Sequence, residues 1–180
     1  YSSSNNNITN NNASGNSYDG IYLHRSSNNN ITNNNASGNS GAGIYLYWSS
    51  NNNYITYNRI TANTNYGVYI TLSSTGNRIH HNNFINNNAG GKQGYDDVGG
   101  NFWNDTSEGN YWSDWTTPDN DNDGIVDSPY TLDGNSGAQD NYPLTNQVPV
   151  GELSYTFIMI IGIVLIFILR SVQNRKKSCR

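Results

Sequence analysis

One cysteine, Cys179, occurs in 180 residues, beside the C-terminus. No disulfide can form within the chain, and cysteine usage gives no reading of redox compartment. Charge is scarce too: Asp, Glu, Lys and Arg make up 12% of the residues, and apolar residues only 34%. Low hydrophobicity usually points to disorder, but disordered chains are normally charged and irregular. Here apolar residues recur at fixed positions in a neutral, Asn-rich background. Such a chain can fold if stacked polar side chains satisfy one another; a prion-like Asn-rich segment is the alternative. The few charges are segregated. Twelve of the thirteen acids lie between Asp96 and Glu152, where there is no Lys or Arg, and five of the nine bases (Arg170, Arg175, Lys176, Lys177, Arg180) close the chain. With a net charge of −4, no nucleic-acid partner is expected. The chain begins at Tyr1, already inside a repeat and without Met or signal peptide, so further coils are expected upstream.

The repeat is the dominant feature. Asn53-x-Ile55-x-x-Asn58-x-Ile60-x-x-Asn63 has counterparts beginning at Asn6, Asn29 and Asn77, at steps of 23, 24 and 24 residues. A period of that size indicates a solenoid. Each repeat has a second half, Gly20-Ile21-Tyr22-Leu23, Gly43-Ile44-Tyr45-Leu46 and Gly67-Val68-Tyr69-Ile70, with the alternation of a half-buried strand. Three short strands per period predict an all-β fold, a parallel β-helix of about four coils over residues 1–89. At the inter-strand spacing of about 4.8 Å these coils make a rod of roughly 19 Å. Ile8, Ile31, Ile55 and Ile79 should form one inward stack. Ile21, Ile44 and Val68 should form another, with Leu23, Leu46 and Ile70 beside it. The Asn columns are expected at corners, each amide donating to one neighbouring coil and accepting from the other. Asn also tolerates the left-handed conformation that corners need. Ala13 and Ala36 give way to Ile60 and Phe84, so the core should widen toward the C-terminal end.

These repeats, with Gly109-Asn110-Tyr111-Trp112-Ser113-Asp114, Asp123-Gly124-Ile125-Val126-Asp127-Ser128-Pro129-Tyr130 and Asp140-Asn141-Tyr142-Pro143-Leu144, closely resemble the NosD-type family of bacteria and archaea. The resemblance implies a right-handed β-helix related to carbohydrate-binding and sugar-hydrolase domains. It also implies a group of relatives described as copper-binding. It transfers no copper ligand here. His24 lies three coils from His80 and His81, roughly 14 Å at the strand spacing, and adjacent His80 and His81 are expected to face different sides. Met159 falls in an apolar run.

Sugar hydrolysis needs two convergent carboxylates. The coils offer only Asp19, Arg25, Arg59, Arg78 and Lys92 as charged groups, so no catalytic set is expected. Asp96-Asp97, in a Gly-rich stretch, reads as a solvated loop. Tyr22, Tyr45 and Tyr69, joined by Tyr47 and Trp48, should form an exposed aromatic ladder able to stack on sugar rings, or merely to support the sheet. Asn7, Asn12, Asn30, Asn35 and Asn104 head N-glycosylation sequons, of which an Asn-rich chain produces some by chance.

Residues 90–147 read as an acidic, aromatic-rich cap in which Trp103, Trp112 and Trp115, with Phe102 and Tyr111, cover the open end of the helix. Within it, Asp119-x-Asp121-x-Asp123-Gly124-Ile125-x-Asp127 has the ligand spacing of a calcium loop, the Ile125 carbonyl serving as the backbone ligand. Position twelve is Tyr130 rather than Glu, so this is not an EF-hand; a structural Ca2+ is expected, and an acidic turn without metal is the alternative. Residues 148–154 read as a linker and 155–170 as a membrane-spanning helix at the short end of the usual length. The basic tail 171–180 places the C-terminus in the cytoplasm and the solenoid outside. A cleaved sorting signal has the same form. The expected function is a single-pass, membrane-anchored surface module, non-catalytic, binding glycan or spacing the envelope. The alternatives are a polysaccharide-active enzyme with its catalytic coils upstream of Tyr1, or accessory copper handling of the NosD type.

Overall fold

A computed structural model describes residues 2–150. The first coil holds β1 (Asn7–Thr9) and β2 (Ile21–His24). The second holds β3 (Asn30–Thr32), β4 (Asn35–Ser37) and β5 (Ile44–Tyr47), and the third β6 (Tyr54–Thr56), β7 (Arg59–Thr61) and β8 (Val68–Ile70). The fourth holds β9 (Arg78–His80), β10 (Asn83–Ile85) and β11 (Gly94–Asp96). Then come β12 (Tyr111–Trp112), β13 (Tyr130–Thr131) and β14 (Gln139–Asp140). Three parallel four-stranded sheets run along the solenoid, in the orders β1-β3-β6-β9, β4-β7-β10-β12 and β2-β5-β8-β11. Equivalent positions stack without slippage, Ile8 on Ile31 on Ile55 on Ile79 and Ile21 on Ile44 on Val68. The all-β parallel solenoid of about four coils is therefore as the period predicts.

Corners are built from two residues with separate tasks. The ladder Asn supplies hydrogen bonds. Asn53 Nδ2 donates to Asn77 Oδ1 at 3.0 Å, and the same oxygen accepts the Asn53 backbone N–H at 2.9 Å. This two-to-one pattern repeats through Asn6–Asn29–Asn53–Asn77–Asn101, Asn11–Asn34–Asn58–Asn82–Asn110 and Asn16–Asn39–Asn63–Asn87–Gln93. The left-handed conformation belongs instead to the residue just before the ladder Asn, for example Asn52 (φ 54), Tyr57 (φ 55), Ala62 (φ 53) and His81 (φ 56). Turning the chain one residue early leaves the next side chain aimed inward along the rod axis, where its amide meets the coil above.

Gly20, Gly43 and Gly67 open the third strand of each coil because nothing larger fits. A Cβ on Gly43 would lie 2.6 Å from Ile60 Cγ2 and 2.7 Å from the Gly67 carbonyl.

The ladders continue past residue 89, the boundary read from the sequence. β11 extends the third sheet, Phe102 bridges to Arg78 on the first, and β12 pairs with β10 on the second. Gly94 occupies the Val68 register because Trp112, Trp103 and Leu132 fill the space a side chain there would need. Trp112 stacks on Phe84 (centroids 4.1 Å apart) and on Tyr130 (4.0 Å), extending the apolar core beyond the fourth coil. Asp96 is not in a solvated loop. It is fully buried and takes N–H groups of Val98 and Gly99, the Asn101 amide and the Trp103 indole. Val148, read as linker, exchanges two hydrogen bonds with the Asn83 side chain, at 2.9 and 2.8 Å. Among the described residues no helix is long and apolar enough to cross a membrane. The expected span 155–170 and tail 171–180 lie outside the described residues.

Candidate functional site

The third sheet carries an aromatic face. Tyr22, Tyr45, Tyr69 and Tyr95 occupy one register column, with neighbouring ring centroids 5.4, 4.8 and 4.7 Å apart. Tyr47 packs against Tyr45 and His24, and Trp48 closes the outer edge with the Arg25 guanidinium 4.6 Å from its ring centroid. Tyr66 stacks on Tyr69 and donates its hydroxyl to Asp133. Exposure is uneven: Tyr22 (38%) and Trp48 (45%) are open, while Tyr45, Tyr47, Tyr69 and Tyr95 are half-buried by one another. Burial, then the Asp133 charge, pushes the Tyr66 hydroxyl up to about 12. Burial likewise raises Tyr45 and Tyr95. All remain neutral hydrogen-bonding phenols at ordinary pH. Tyr66 and Tyr95 were not in the sequence-derived ladder. The signal for Tyr95 was its place one residue after Gly94, masked by the irregular spacing of that coil.

The acidic loop is partly assembled. Carboxylate oxygens of Asp119, Asp121 and Asp127 lie within 4.8 Å of one another. Asp119 Oδ1 is buried with no hydrogen-bond donor among the described residues, and Asp119 Oδ2 accepts the Gly124 N–H at 3.2 Å. Asp123 does not join this group; its Oδ1 accepts the Ile125 N–H at 2.7 Å. Ile125 itself bridges to Leu144.

A second cluster was missed from sequence. His80 and His81 do not face different sides. Their Nδ1 atoms are 2.7 Å apart, and Asp105 brings a carboxylate oxygen within 4.8 Å of a ring nitrogen of each. The left-handed backbone of His81 folds its ring back toward its neighbour, which ordinary strand alternation would forbid. His81 Nε2 is 2.7 Å from Glu108 Oε2, and its ring stacks on Tyr57. Burial, then the neighbouring His81, lowers the His80 pKa. Burial works to raise the Asp105 pKa, but N–H donations from Ser107 and Glu108 and the two imidazoles together outweigh it, and the carboxyl lies below its usual value. Two imidazoles and a carboxylate are donors that first-row divalent ions accept.

Among sequon residues, Asn7 and Asn12 are exposed and Asn30 and Asn35 half-buried. The Asn104 side chain is engaged, its Oδ1 accepting the Asn141 N–H at 3.1 Å. Asp19, the one acid of the first three coils, accepts the Ala42 N–H at 2.7 Å, a structural contact.

The sequence profile described as periplasmic copper-binding protein (NosD) matches residues 1–117. The chain belongs to the NosD family. Among solved structures, a mutant of the periplasmic alginate epimerase AlgG is similar over 53% of this NosD-family chain, at 29% identity and TM-score 0.49. The matched part spans 22% of the epimerase chain. No curated protein matches the sequence. The NosD profile ends at residue 117, before the acidic loop, but includes the aromatic face and the His80–His81–Asp105 cluster.

Proposed function

We propose that this NosD-family protein is an exported, non-catalytic solenoid that presents the aromatic face of its third sheet to polysaccharide at the cell surface. The observation that carries the reading is the unbroken column Tyr22–Tyr45–Tyr69–Tyr95 flanked by Tyr47 and Trp48. Aromatic rings offer an apolar face with a polar edge, which suits a sugar whose axial C–H groups form one face and hydroxyls the rim. The open rings at Tyr22 and Trp48 are the first contacts. The half-buried tyrosines hold them in place and offer hydroxyl edges.

In this reading the periplasmic setting named for the family supports export. The apolar run 157–169 followed by basic residues supports a C-terminal membrane anchor with the tail in the cytoplasm. The exposed sequons at Asn7 and Asn12 are then open to glycosylation, with Asn30, Asn35 and Asn104 less accessible. Trp103, Trp112 and Tyr130 serve as the cap that shields the end of the core. Ca2+ held by Asp119, Asp121 and Asp127 braces the cap; support comes from the Asp119 oxygen, since a buried anionic oxygen without a donor is costly unless a cation meets it. The description of the family as copper-binding offers accessory metal handling as the alternative.

The test is retention of the full-length protein, purified in detergent, on a panel of insoluble polysaccharides. Binding that falls at least tenfold in the combined variant Tyr22→Ala, Tyr47→Ala, Trp48→Asn, with an unchanged melting temperature, supports the reading. Binding that the variant retains, or none to any neutral or uronate polymer, overturns it.

A further inference from the structure

The fourth coil departs from the repeat at the corner where a loop returns to meet it. At the end of the first-sheet strand the earlier coils carry Thr9-Asn10, Thr32-Asn33 and Thr56-Tyr57; the fourth carries His80-His81. Thr56 stacks directly on His80 in the register of β6 and β9. Neither substitution is needed for the fold, because Thr and Asn serve the same two positions elsewhere. His81 even keeps the left-handed backbone (φ 56) that Asn10 (φ 58) and Asn33 (φ 55) adopt with less strain. Something other than the solenoid's own geometry accounts for both histidines at one corner.

The loop 104–109 supplies the remaining parts. Asp105 is pinned by its own turn, its Oδ1 accepting N–H groups from Ser107 at 2.9 Å and Glu108 at 2.8 Å while its N–H donates to the Glu108 carbonyl. The His81 N–H donates to the Gly109 carbonyl at 2.6 Å, tying the loop to the corner. Glu108 takes the far nitrogen of His81. An ionised carboxylate only accepts, so neutral His81 carries its proton on Nε2 and turns the lone pair of Nδ1 toward His80. The imidazole hydrogen-bonded at its far nitrogen to a carboxylate is the arrangement that orients metal-ligating histidines.

We propose that His80 Nδ1, His81 Nδ1 and an Asp105 carboxylate oxygen bind one divalent transition-metal ion of the zinc class, with Glu108 positioning His81. Two imidazoles and one carboxylate leave a further coordination position for water or an incoming ligand. Tetrahedral zinc with ligand bonds of about 2.0–2.1 Å sets ligand atoms roughly 3.3 Å apart. The 2.7 Å contact between the Nδ1 atoms therefore opens by about half an ångström on binding. The proton between them is that of neutral His80; on binding it passes to solvent from Nδ1 while His80 Nε2 takes one up, so His80 changes tautomer with no net proton released. The site is on the first sheet and the aromatic face on the third, so the two are tested separately. The oxygen-only loop of Asp119, Asp121 and Asp127 suits a hard cation instead.

The decisive experiment is calorimetric titration of Zn2+ into the full-length protein in detergent, with Ca2+ in excess to saturate the acidic loop. One equivalent of Zn2+ is expected to bind and to raise the melting temperature. His80→Thr and His81→Asn, which restore the residues of the earlier coils, should each weaken binding by about 100-fold or more while leaving the metal-free melting temperature unchanged or higher. Glu108→Gln should weaken it by roughly 10- to 100-fold, as outer partners of metal-bound histidine do. Long-range nitrogen–proton NMR of the wild-type imidazoles gives a readout independent of any variant: Zn2+ should shift the Nδ1 resonances of His80 and His81 and leave that of His24 in place. No Zn2+ uptake by the wild type, uptake that survives His80→Thr combined with His81→Asn, or a shift confined to His24 would each overturn the proposal.

Discussion

The buried carboxylate of Asp140 ends the second amide ladder: Asp140 Oδ2 accepts the Asn110 backbone N–H at 2.7 Å and the Asn110 Nδ2 at 3.3 Å. The other ladders end the same way. Asn101 donates to Asp96, and Gln93 donates to Asp114. An amide ladder is polar, every oxygen accepting from the coil before and every NH2 donating to the coil after. Its last NH2 needs a group that accepts without donating, and an ionised carboxylate is that group.

Asp140 also makes the fold sensitive to pH. Burial raises its pKa to about 6, against the hydrogen bonds from Trp112, Asn110 and Tyr142 that favour the charge. The folded protein thus holds a proton that the unfolded chain, with its carboxyl near 4, releases. The proton's contribution is complete below about pH 4 and lost as pH rises through about 6, a change on the order of 3 kcal/mol. Urea melts across this window should show wild-type stability falling as pH rises relative to Asp140→Asn, which lacks the ionisation. Parallel profiles for the two proteins would refute the assignment.

Asn58 sits mid-ladder and fully buried. Its Oδ1 accepts two bonds from Asn34, and its Nδ2 donates to the carbonyls of Ile31 and Thr56 and to Asn82. Asn58→Ala strands several of these groups at once, at about 1–3 kcal/mol for each that water cannot reach. A loss of about 3 kcal/mol or more is expected by chemical denaturation, against a loss under about 1 kcal/mol for Asn6→Ala at the exposed start of the first ladder.

Ala62 holds a left-handed backbone at the corner where Gly15 and Gly38 stand in the earlier coils. That conformation costs a Cβ-bearing residue roughly 1–2 kcal/mol, and glycine's extra chain entropy returns about half of it. Ala62→Gly should therefore raise stability by about 0.5–1 kcal/mol, seen as a higher melting temperature. Gly43→Ala should do the opposite by about 1–3 kcal/mol through overpacking against Ile60.

Calcium affinity should divide the acidic loop. Asp121→Asn or Asp127→Asn should abolish the rise in melting temperature on adding Ca2+. Asp123→Asn, whose carboxylate is turned to the Ile125 N–H, should lower that rise only in part. Differential scanning calorimetry with and without Ca2+ distinguishes these outcomes, and an equal effect at all three positions would return Asp123 to the ligand set.

The regular part of the molecule was legible because it is local and repeated. Side-chain alternation in Ile44-Tyr45-Leu46 assigns an inward and an outward face, and a 23- or 24-residue period then forces Tyr22, Tyr45 and Tyr69 into one column. The Asn column announced the amide ladder for the same reason. The left-handed corners are mostly Asn or Gly, as at Asn10, Asn33, Asn52, Gly15 and Gly38, but Tyr57, Ala62 and His81 do the same work and carry no such signal. Asp96 read as a solvated pair with Asp97, because its partners Asn101 and Trp103 acquire meaning only once the third sheet has turned the chain inward.

Sequence alone determined the parallel solenoid, its three sheets, its core columns and its aromatic face, because stacking in register turns a one-dimensional period directly into contacts. Only the tertiary structure decided which carboxylates end the ladders, which aspartates of the acidic loop converge, and that His80 and His81 meet Asp105. Those contacts depend on residues 97–147, which keep ladder positions at Asn101 and Asn110 but lose the regular spacing, and so bring Glu108 to His81 and Asp140 to Asn110. They are also set by the one-residue offset between the left-handed corner and the side chain that follows it, and a period carries information about neither.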